Sequence, residues 1–381
     1  MSIFDRRISR QDFLRLGLNS ALTLALSNTI NLGNVSLEQG SNPPETSDIK
    51  PLVGAIRWGG WFKGSKWANN LQDPKWHNRL PFYTSVSPDG KSIEIVGDRQ
   101  EVMDQEILFA KKAGIDFWAY CLYDKRSPDF NIYNYGFNRH LASKIATGPK
   151  IALILQGSHF GGVGGWEGFT DNLVQAFTHD KYQILPERRP LLFVLDTPKF
   201  NEAFGYYDKS MKALDKLREK TIKANLNLPF LVGLNVEGPL IHLGFDALSA
   251  YTANGVGEFK EYPYTFLEQA NLEFWKRVGG LGFKFVPTIN VGWDPRPRLE
   301  LPDIGEDYHG PWYKMPTKDE LLHHISLGVK WLRDNPSQSA HNMLLFYAWN
   351  EFDEGGILVP TLAEGTLRID VLAELFKNQV V

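Results

Sequence analysis

Residues 344–360 read LLFYAWNEFDEGGILVP. An apolar, strand-forming run ends abruptly in two glutamates, Glu351 and Glu354, three positions apart. A nearly continuous apolar run, rather than an alternating one, belongs to a strand buried on both faces, as in a parallel sheet covered by helices. The same signature recurs upstream in LVGAIRWGGWF (52–62), DFWAYCLYD (116–124), KIALILQG (150–157), PLLFVLD (190–196), PFLVGLNV (229–236), ALSAYTAN (247–254) and KFVPTINVGWD (284–294), and NMLLFYAWNE (342–351) is the eighth. Helical patterns lie near 100–113, 137–147, 167–181, 201–225, 263–279 and 317–335, with a last one at 366–378. The fifth-to-sixth connection, EGPLIHLGFD, is too short for a full helix. Eight such strands alternating with helices predict an α/β fold, a single (β/α)8 TIM barrel over residues 51–381, whose roughly 330 residues suit a barrel with loop insertions. A doubly wound open sheet is the competing arrangement. Its dinucleotide fingerprint is missing, because FGGVGGWEG (160–168) has Gly162 and Gly164 but Glu167 where G-x-G-x-x-G needs its third glycine.

Composition narrows the function. With 41 Lys+Arg against 44 Asp+Glu the net charge is −3, so there is no basic excess to hold a phosphate backbone, and nucleic acid is excluded as the expected partner. The 11 Trp and 14 Tyr often sit beside Gly, Asp or Asn, which favours sugar-stacking surfaces. The single cysteine, Cys121, lies in an apolar-aromatic run and reads as core. No metal or other cofactor is expected: His323 and His324 are adjacent on a predicted helix, the wrong spacing for one ion.

The N-terminus has a different character. Residues 1–33 carry Arg6, Arg7, Arg10 and Arg15 ahead of an uncharged Leu- and Ala-rich run, the pattern of an export signal. SRQDFLR resembles the twin-arginine signal S-R-R-x-F-L-K, with Gln11 in place of the second arginine. Residues 34–50, polar and containing Pro43-Pro44, read as a linker. The expected location is therefore periplasmic or extracellular, with an amphipathic first helix of a cytoplasmic protein as the alternative. No run after residue 30 approaches the roughly 20 apolar residues of a membrane span.

In a barrel the active site forms at the C-terminal strand ends, where eight βα-loops converge. Polar and aromatic residues at those ends are the candidates: Arg57, Trp58 and Trp61 after strand one, Tyr120, Tyr123 and Asp124 after two, Gln156 and His159 after three, and Asp196 after four. Asn235 and Glu237 follow strand five, Tyr251 and Asn254 strand six, and Asn290, Trp293, Asp294 and Arg298 strand seven. Carboxylates, amides and indoles on one rim suit a carbohydrate substrate. Trp58 and Trp61 read as subsite walls ahead of core residues; Asp294 and Arg298 read either as sugar contacts or as an ion pair with each other. On strand eight, alternation places Leu345, Tyr347, Trp349 and Glu351 on one face, with Phe346, Ala348 and Asn350 on the other. A turn through Gly355-Gly356 would bring Glu354 to the side of Glu351. Two carboxylates in one cleft can divide acid and base roles between them; a solvated acidic loop that includes Asp353 is the other reading.

YAWNEFDEGG resembles the E-x-x-E strand-eight signature of glycoside hydrolase family 99 endo-α-mannosidases and the W-N-E-W-x-E-G of the related WbsX-like proteins. NVGWDPRPR (290–298) resembles the WbsX-like G-W-D-N-T-P-R, with Pro295 and Arg296 replacing Asn and Thr. EILFAKKAGIDFWAYCLYDKRSPD (106–129) resembles A-x-x-x-G-I-D-x-F-x-F-Y-x-Y-W, with Leu122 and Asp124 departing. The resemblance, intermittent over residues 52–356, implies a TIM barrel acting on an α-glycosidic bond with retention. It implies Glu351 as the base on the sugar 2-hydroxyl, giving a 1,2-anhydro intermediate, and Glu354 as the acid on the leaving oxygen. Trp349 and Asn350, inside the signature, become substrate contacts by the same resemblance. Phe352 and Asp353 replace the Trp-His of typical mannosidases. A WbsX-like role in polysaccharide biosynthesis and a non-catalytic glycan-binding barrel are the alternatives.

Overall fold

The computed structural model describes residues 50–124, 133–157, 159–300 and 308–377. The export-like segment 1–33 and nearly all of the linker 34–50 fall outside those residues. The barrel strands are β1 (Leu52–Arg57), β2 (Phe117–Leu122), β3 (Lys150–Gln156), β4 (Arg189–Leu195), β5 (Phe230–Leu234), β6 (Ala247–Ser249), β7 in two pieces (Lys284–Phe285 and Thr288–Asn290) and β8 (Met343–Tyr347). All neighbouring barrel strands are parallel. The split in β7 shows how the barrel closes. Its first piece pairs with β6 and its second with β8, so the two ends of the sheet are consecutive parts of one chain. Pro287, between them, has no N–H to donate to the ladder, although its carbonyl still accepts from Leu345 N.

Inside the barrel, a β-carbon on Gly54 would fall 2.1 Å from the Phe117 ring, which itself stacks on Phe193 with centroids 6.1 Å apart. Only glycine leaves room for that ring, so bulk from one strand is matched by its absence on the next. Cys121 is buried as expected, its Sγ 3.8 Å from Tyr251 Oη.

Among the described residues the helices of eight residues or more are α1 (Gln100–Ala113), α2 (Tyr135–Ala142), α3 (Trp166–Phe177), α4 (Thr197–Phe204), α5 (Tyr207–Lys223), α6 (Tyr264–Gly279), α7 (Lys318–Asp334) and α8 (Leu367–Lys377). The expected helix 201–225 is two, because Gly205 (φ 71°) and Tyr206 (φ 104°) turn the chain out of helical geometry. Only a 3-10 turn, Gly238–His242, bridges β5 and β6. A capping box starts α7, with Thr317 Oγ1 accepting from Glu320 N and Glu320 Oε2 accepting from Thr317 N. His323 and His324 separate: His323 is exposed, whereas His324 is buried against Trp275 and its Nδ1 is 2.8 Å from Tyr264 Oη. Residues Pro51–Val381 form one compact unit, and among the described residues no helix is long and apolar enough to cross a membrane.

Candidate active site

The loop after β8 places the two glutamates. Asn350–Glu351 pairs antiparallel with Gly356–Ile357, and Glu354 N donates to Glu351 O across the tight connection. The positive φ of Gly355 (84°) allows that turn. The loops after β7 and β8 then meet glycine to glycine: a β-carbon on Gly292 would lie 2.2 Å from Gly355 O, and Asp294 N donates to Glu354 O at 2.7 Å. The sequence expectation that positions 351 and 354 share a side is met by this backbone.

Their surroundings differ from the expected open rim. Glu351 is 0% and Glu354 2% exposed. Tyr251 Oη donates to Glu351 Oε1 at 2.9 Å, linking the end of β6 to the glutamate. Arg298 lies among the acidic groups of the β8 loop. Its Nε and Nη2 donate to Asp353 at 2.7 and 3.0 Å, its Nη1 pairs with Glu354, and its Nη2 is 3.7 Å from Glu351 Oε2. Asn70 Nδ2 donates to Asp353 Oδ2 at 2.7 Å. The Trp67 ring lies 5.0 Å from the guanidinium, close enough for a cation–π contact.

Asp294 and Arg298 do not pair with each other, which corrects that reading. Asp294 pairs instead with Arg79 and with Arg296 Nε at 2.8 Å. Burial pushes its carboxyl up, but the hydrogen bonds and positive charges of Arg296 and Arg79 outweigh burial and hold it below the usual carboxylate range.

Several other candidates belong to packing. Trp61 is fully buried, edge-on to Phe352 at 4.8 Å, and Trp58 is 3% exposed, so both indoles are as buried as the two glutamates. Trp58 Nε1 donates to Tyr123 Oη, and Asn350 clips the Trp58 backbone by accepting from its N–H and donating to its carbonyl. Trp293 is also fully buried, its Nε1 donating to Tyr308 Oη. Strict alternation does not run on past Tyr347, where β8 ends: Tyr347 meets Tyr251 and Trp293, whereas Trp349 meets Trp118. Tyr120 points into the helical layer, where its hydroxyl is 3.0 Å from His140 Nδ1.

Asn235 secures the β5–β6 ends, accepting from Tyr251 N and donating to Thr252 O. Asp196 caps α4. His159 Nδ1 is 3.0 Å from Gln156 Oε1 and its ring lies against Tyr123. Asp124 lines a separate cavity of about 240 Å³ between α2 and α3, with Leu122, Phe137 and Phe169. Glu237 is exposed ahead of the 3-10 turn.

No protein-family model matches the sequence, and no curated protein matches it. Solved structures do match in fold. A glycoside hydrolase-like protein aligns over 88% of this chain and 97% of its own at 14% identity, with a TM-score of 0.55. The GH99 endo-α-mannosidase from Bacteroides thetaiotaomicron, in complex with BIS-TRIS-propane, aligns over 87% of this chain and 99% of its own at 12% identity and a TM-score of 0.53. A second structure of that mannosidase gives 12% and 0.51. The chain shares their barrel fold.

The residues that sequence reasoning missed are Trp67, Asn70 and Arg79, all from the long connection between β1 and α1. Trp67 is the half-buried indole beside Arg298. The available signal was the length of that connection: a long loop leaving the C-terminal end of a barrel strand is built for a site more often than for a turn.

Proposed function

We propose that this protein is a glycoside hydrolase that cleaves an α-linked oligosaccharide or polysaccharide with retention, using Glu351 as base and Glu354 as acid. One observation carries the reading. Two glutamates stand on one hydrogen-bonded turn at the C-terminal end of β8, with a tyrosine hydroxyl on the first and a guanidinium on the second. In the first step Glu351 takes the proton of the sugar 2-hydroxyl as that oxygen attacks the anomeric carbon. The bond to the leaving oxygen breaks and Glu354 gives it a proton. In the second step Glu354 takes a proton from water, whose oxygen attacks the anomeric carbon; the bond from that carbon to O2 opens, and Glu351 returns the proton to O2. This route differs from the usual one, in which a carboxylate itself attacks the anomeric carbon. Because both glutamates are buried, a glycan reaches them only when the groups that cover them shift. The Arg-rich and apolar residues 1–33 support export to the periplasm or outside the cell as the setting.

The test is hydrolysis of α-linked mannans, glucans and capsular glycans by the purified protein, read as new reducing ends. Glu351→Gln and Glu354→Gln are expected to fold and to lose about 10²–10⁴-fold in turnover each. An aryl glycoside with a good leaving group is expected to restore the first half-reaction of Glu354→Gln only. A 2-deoxy analogue is expected to bind and not turn over. Rapid hydrolysis of that analogue refutes the anhydro route, and glycan binding without hydrolysis refutes the enzyme.

A further inference from the structure

The two loops that bring polar groups to the glutamates also carry aromatic rings outward. The loop after β6, which supplies Tyr251, continues to Phe259, and the loop after β7, which supplies Arg298, continues to Trp312. A short parallel ribbon joins them, Glu261–Tyr262 pairing with Trp312–Tyr313. Trp312 N donates to Lys260 O at 3.2 Å and Lys314 N to Tyr262 O at 3.0 Å. Buried Tyr313 ties the ribbon to both loops, its N–H donating to Trp293 O at 2.9 Å and its hydroxyl to Asn254 O at 2.6 Å. Anchoring explains the buried side of the ribbon and not the exposed one. Phe259 is 50% and Val256 70% exposed, and the Phe259 ring meets half-buried Trp312 edge-on with centroids 4.7 Å apart. A ring held in place by a fixed neighbour loses little freedom when a ligand covers it.

The rings are continuous with the candidate active site. Asp294 N donates to the Glu354 carbonyl, Asp294 accepts from Arg296 Nε at 2.8 Å, and the Arg296 guanidinium, about a third exposed, lies 4.9 Å from the Trp312 ring. We propose that Phe259 and Trp312 form a glycan-binding platform, a subsite remote from the glutamates on which an α-linked chain of several sugars lays a ring face against Phe259. The occupant follows from the surroundings. Side chains beside the rings carry both signs and pair among themselves, Lys260 with Glu258 at 2.7 Å and Arg296 with Glu261 at 3.8 Å. They favour no ligand of either charge, yet all four offer hydrogen bonds to hydroxyls next to an apolar ring, the combination a neutral sugar needs. A protein partner needs far more than two rings and a valine, since a stable interface covers about 800 Å² on each side. The platform is open while both glutamates are covered, so a chain is held first at Phe259 and reaches the glutamates when their cover shifts. This inference rests on the glycoside hydrolase reading for the class of ligand, and adds that the substrate is a chain rather than a single glycoside.

Titration calorimetry with α-linked manno- and gluco-oligosaccharides of increasing length measures the binding, in the Glu351→Gln or Glu354→Gln background so that the ligand stays intact. Affinity is expected to rise with length, Phe259→Ala to weaken the longest ligands about tenfold, and Phe259→Tyr, which keeps the ring, to bind as its parent does. Leu108→Ala, which removes a similarly exposed side chain of α1 (47%), is expected to leave the affinity unchanged. In turnover, Phe259→Ala is expected to lower kcat/KM for a long chain relative to an aryl glycoside, through KM. Absent or length-independent affinity, unchanged binding in Phe259→Ala or an equal loss in Leu108→Ala overturns the proposal. So does self-association without glycan that Phe259→Ala abolishes, since a second copy is then the occupant. The two readings fail separately. Length-dependent binding that Phe259→Ala loses, with no hydrolysis by wild type, leaves the platform standing and refutes the enzyme. Hydrolysis of long chains with no dependence on Phe259 refutes the platform alone.

Discussion

Arg57 and Arg298 are equally buried, each 1% exposed, yet they have opposite surroundings. Arg57, at the end of β1, points into the helical layer and pairs one-to-one with Glu106 of α1, which is fully buried; the rings of Trp118 and Tyr120 lie 5.4 and 5.5 Å away. Arg298, beyond β7, faces three carboxylates. A one-to-one pair is neutral, and here it joins β1 to α1. A guanidinium among three carboxylates of one loop instead ties the loop after β7 to the loop after β8. The set of partners, rather than burial, separates the two arginines.

The largest expected effect tests the matched pair. Arg57→Met strands Glu106 in the interior and is expected to cost about 3–5 kcal/mol in denaturant unfolding, while Arg57→Met with Glu106→Leu recovers most of that loss. A cost below about 1 kcal/mol for the single variant would erase the distinction between the two arginines, since exposed pairs lose no more.

A smaller effect comes from a buried titratable group that meets a hydroxyl instead of a charge. Burial pushes His324 down from 6.5 to about 3. The folded state thus favours the neutral ring, and its contribution is full above pH 6.5 and lost as pH falls toward 3. At pH 5 the loss is about 2 kcal/mol, from 1.5 pH units at ~1.36 kcal/mol each. Melting temperature measured from pH 7 to pH 4 should fall, and His324→Gln should flatten part of that fall. His140, also pushed down to about 3 by burial, accounts for a further part. An unchanged slope in His324→Gln would show that the ring titrates freely in the folded protein.

The smallest effect lies at the site itself. Trp67→Ala removes the half-buried indole beside Arg298 and is expected to weaken glycan binding by about 1 kcal/mol while leaving the melting temperature near that of wild type. Loss of stability without loss of binding would place Trp67 with Trp61 in the packing.

Much of the barrel was legible in the chain. Parallel strands covered on both faces have no polar alternation, so 52–57, 117–122 and 343–347 stand out as apolar runs, and Glu351 and Glu354 stand out where the last run stops. The ends of these runs were less legible. Trp58, Trp61, Tyr120 and Trp293 were read as rim residues because they follow strands, but an aromatic beside a strand end can turn inward or outward with equal local cost. Neighbouring loops decide which. Asn350 and Asn235, read as sugar contacts, hold backbone groups instead, because buried amides first satisfy the N–H and C=O groups that strand ends leave open.

By itself the sequence determined the barrel, the position of its last strand and the turn that brings Glu351 and Glu354 together, because all three depend on local pattern: apolar runs, strand-end chemistry and a glycine with positive φ. Only the tertiary structure decided that Arg298 serves Asp353 and Glu354 rather than Asp294, that Asp294 takes Arg79 and Arg296, and that Trp67 and Asn70 from a distant loop complete the site. Charge partners far apart in the chain are chosen by which loops the closed barrel brings face to face. No period in the sequence encodes that choice, since Coulomb attraction and hydrogen bonding act on distance in space and not on distance along the chain.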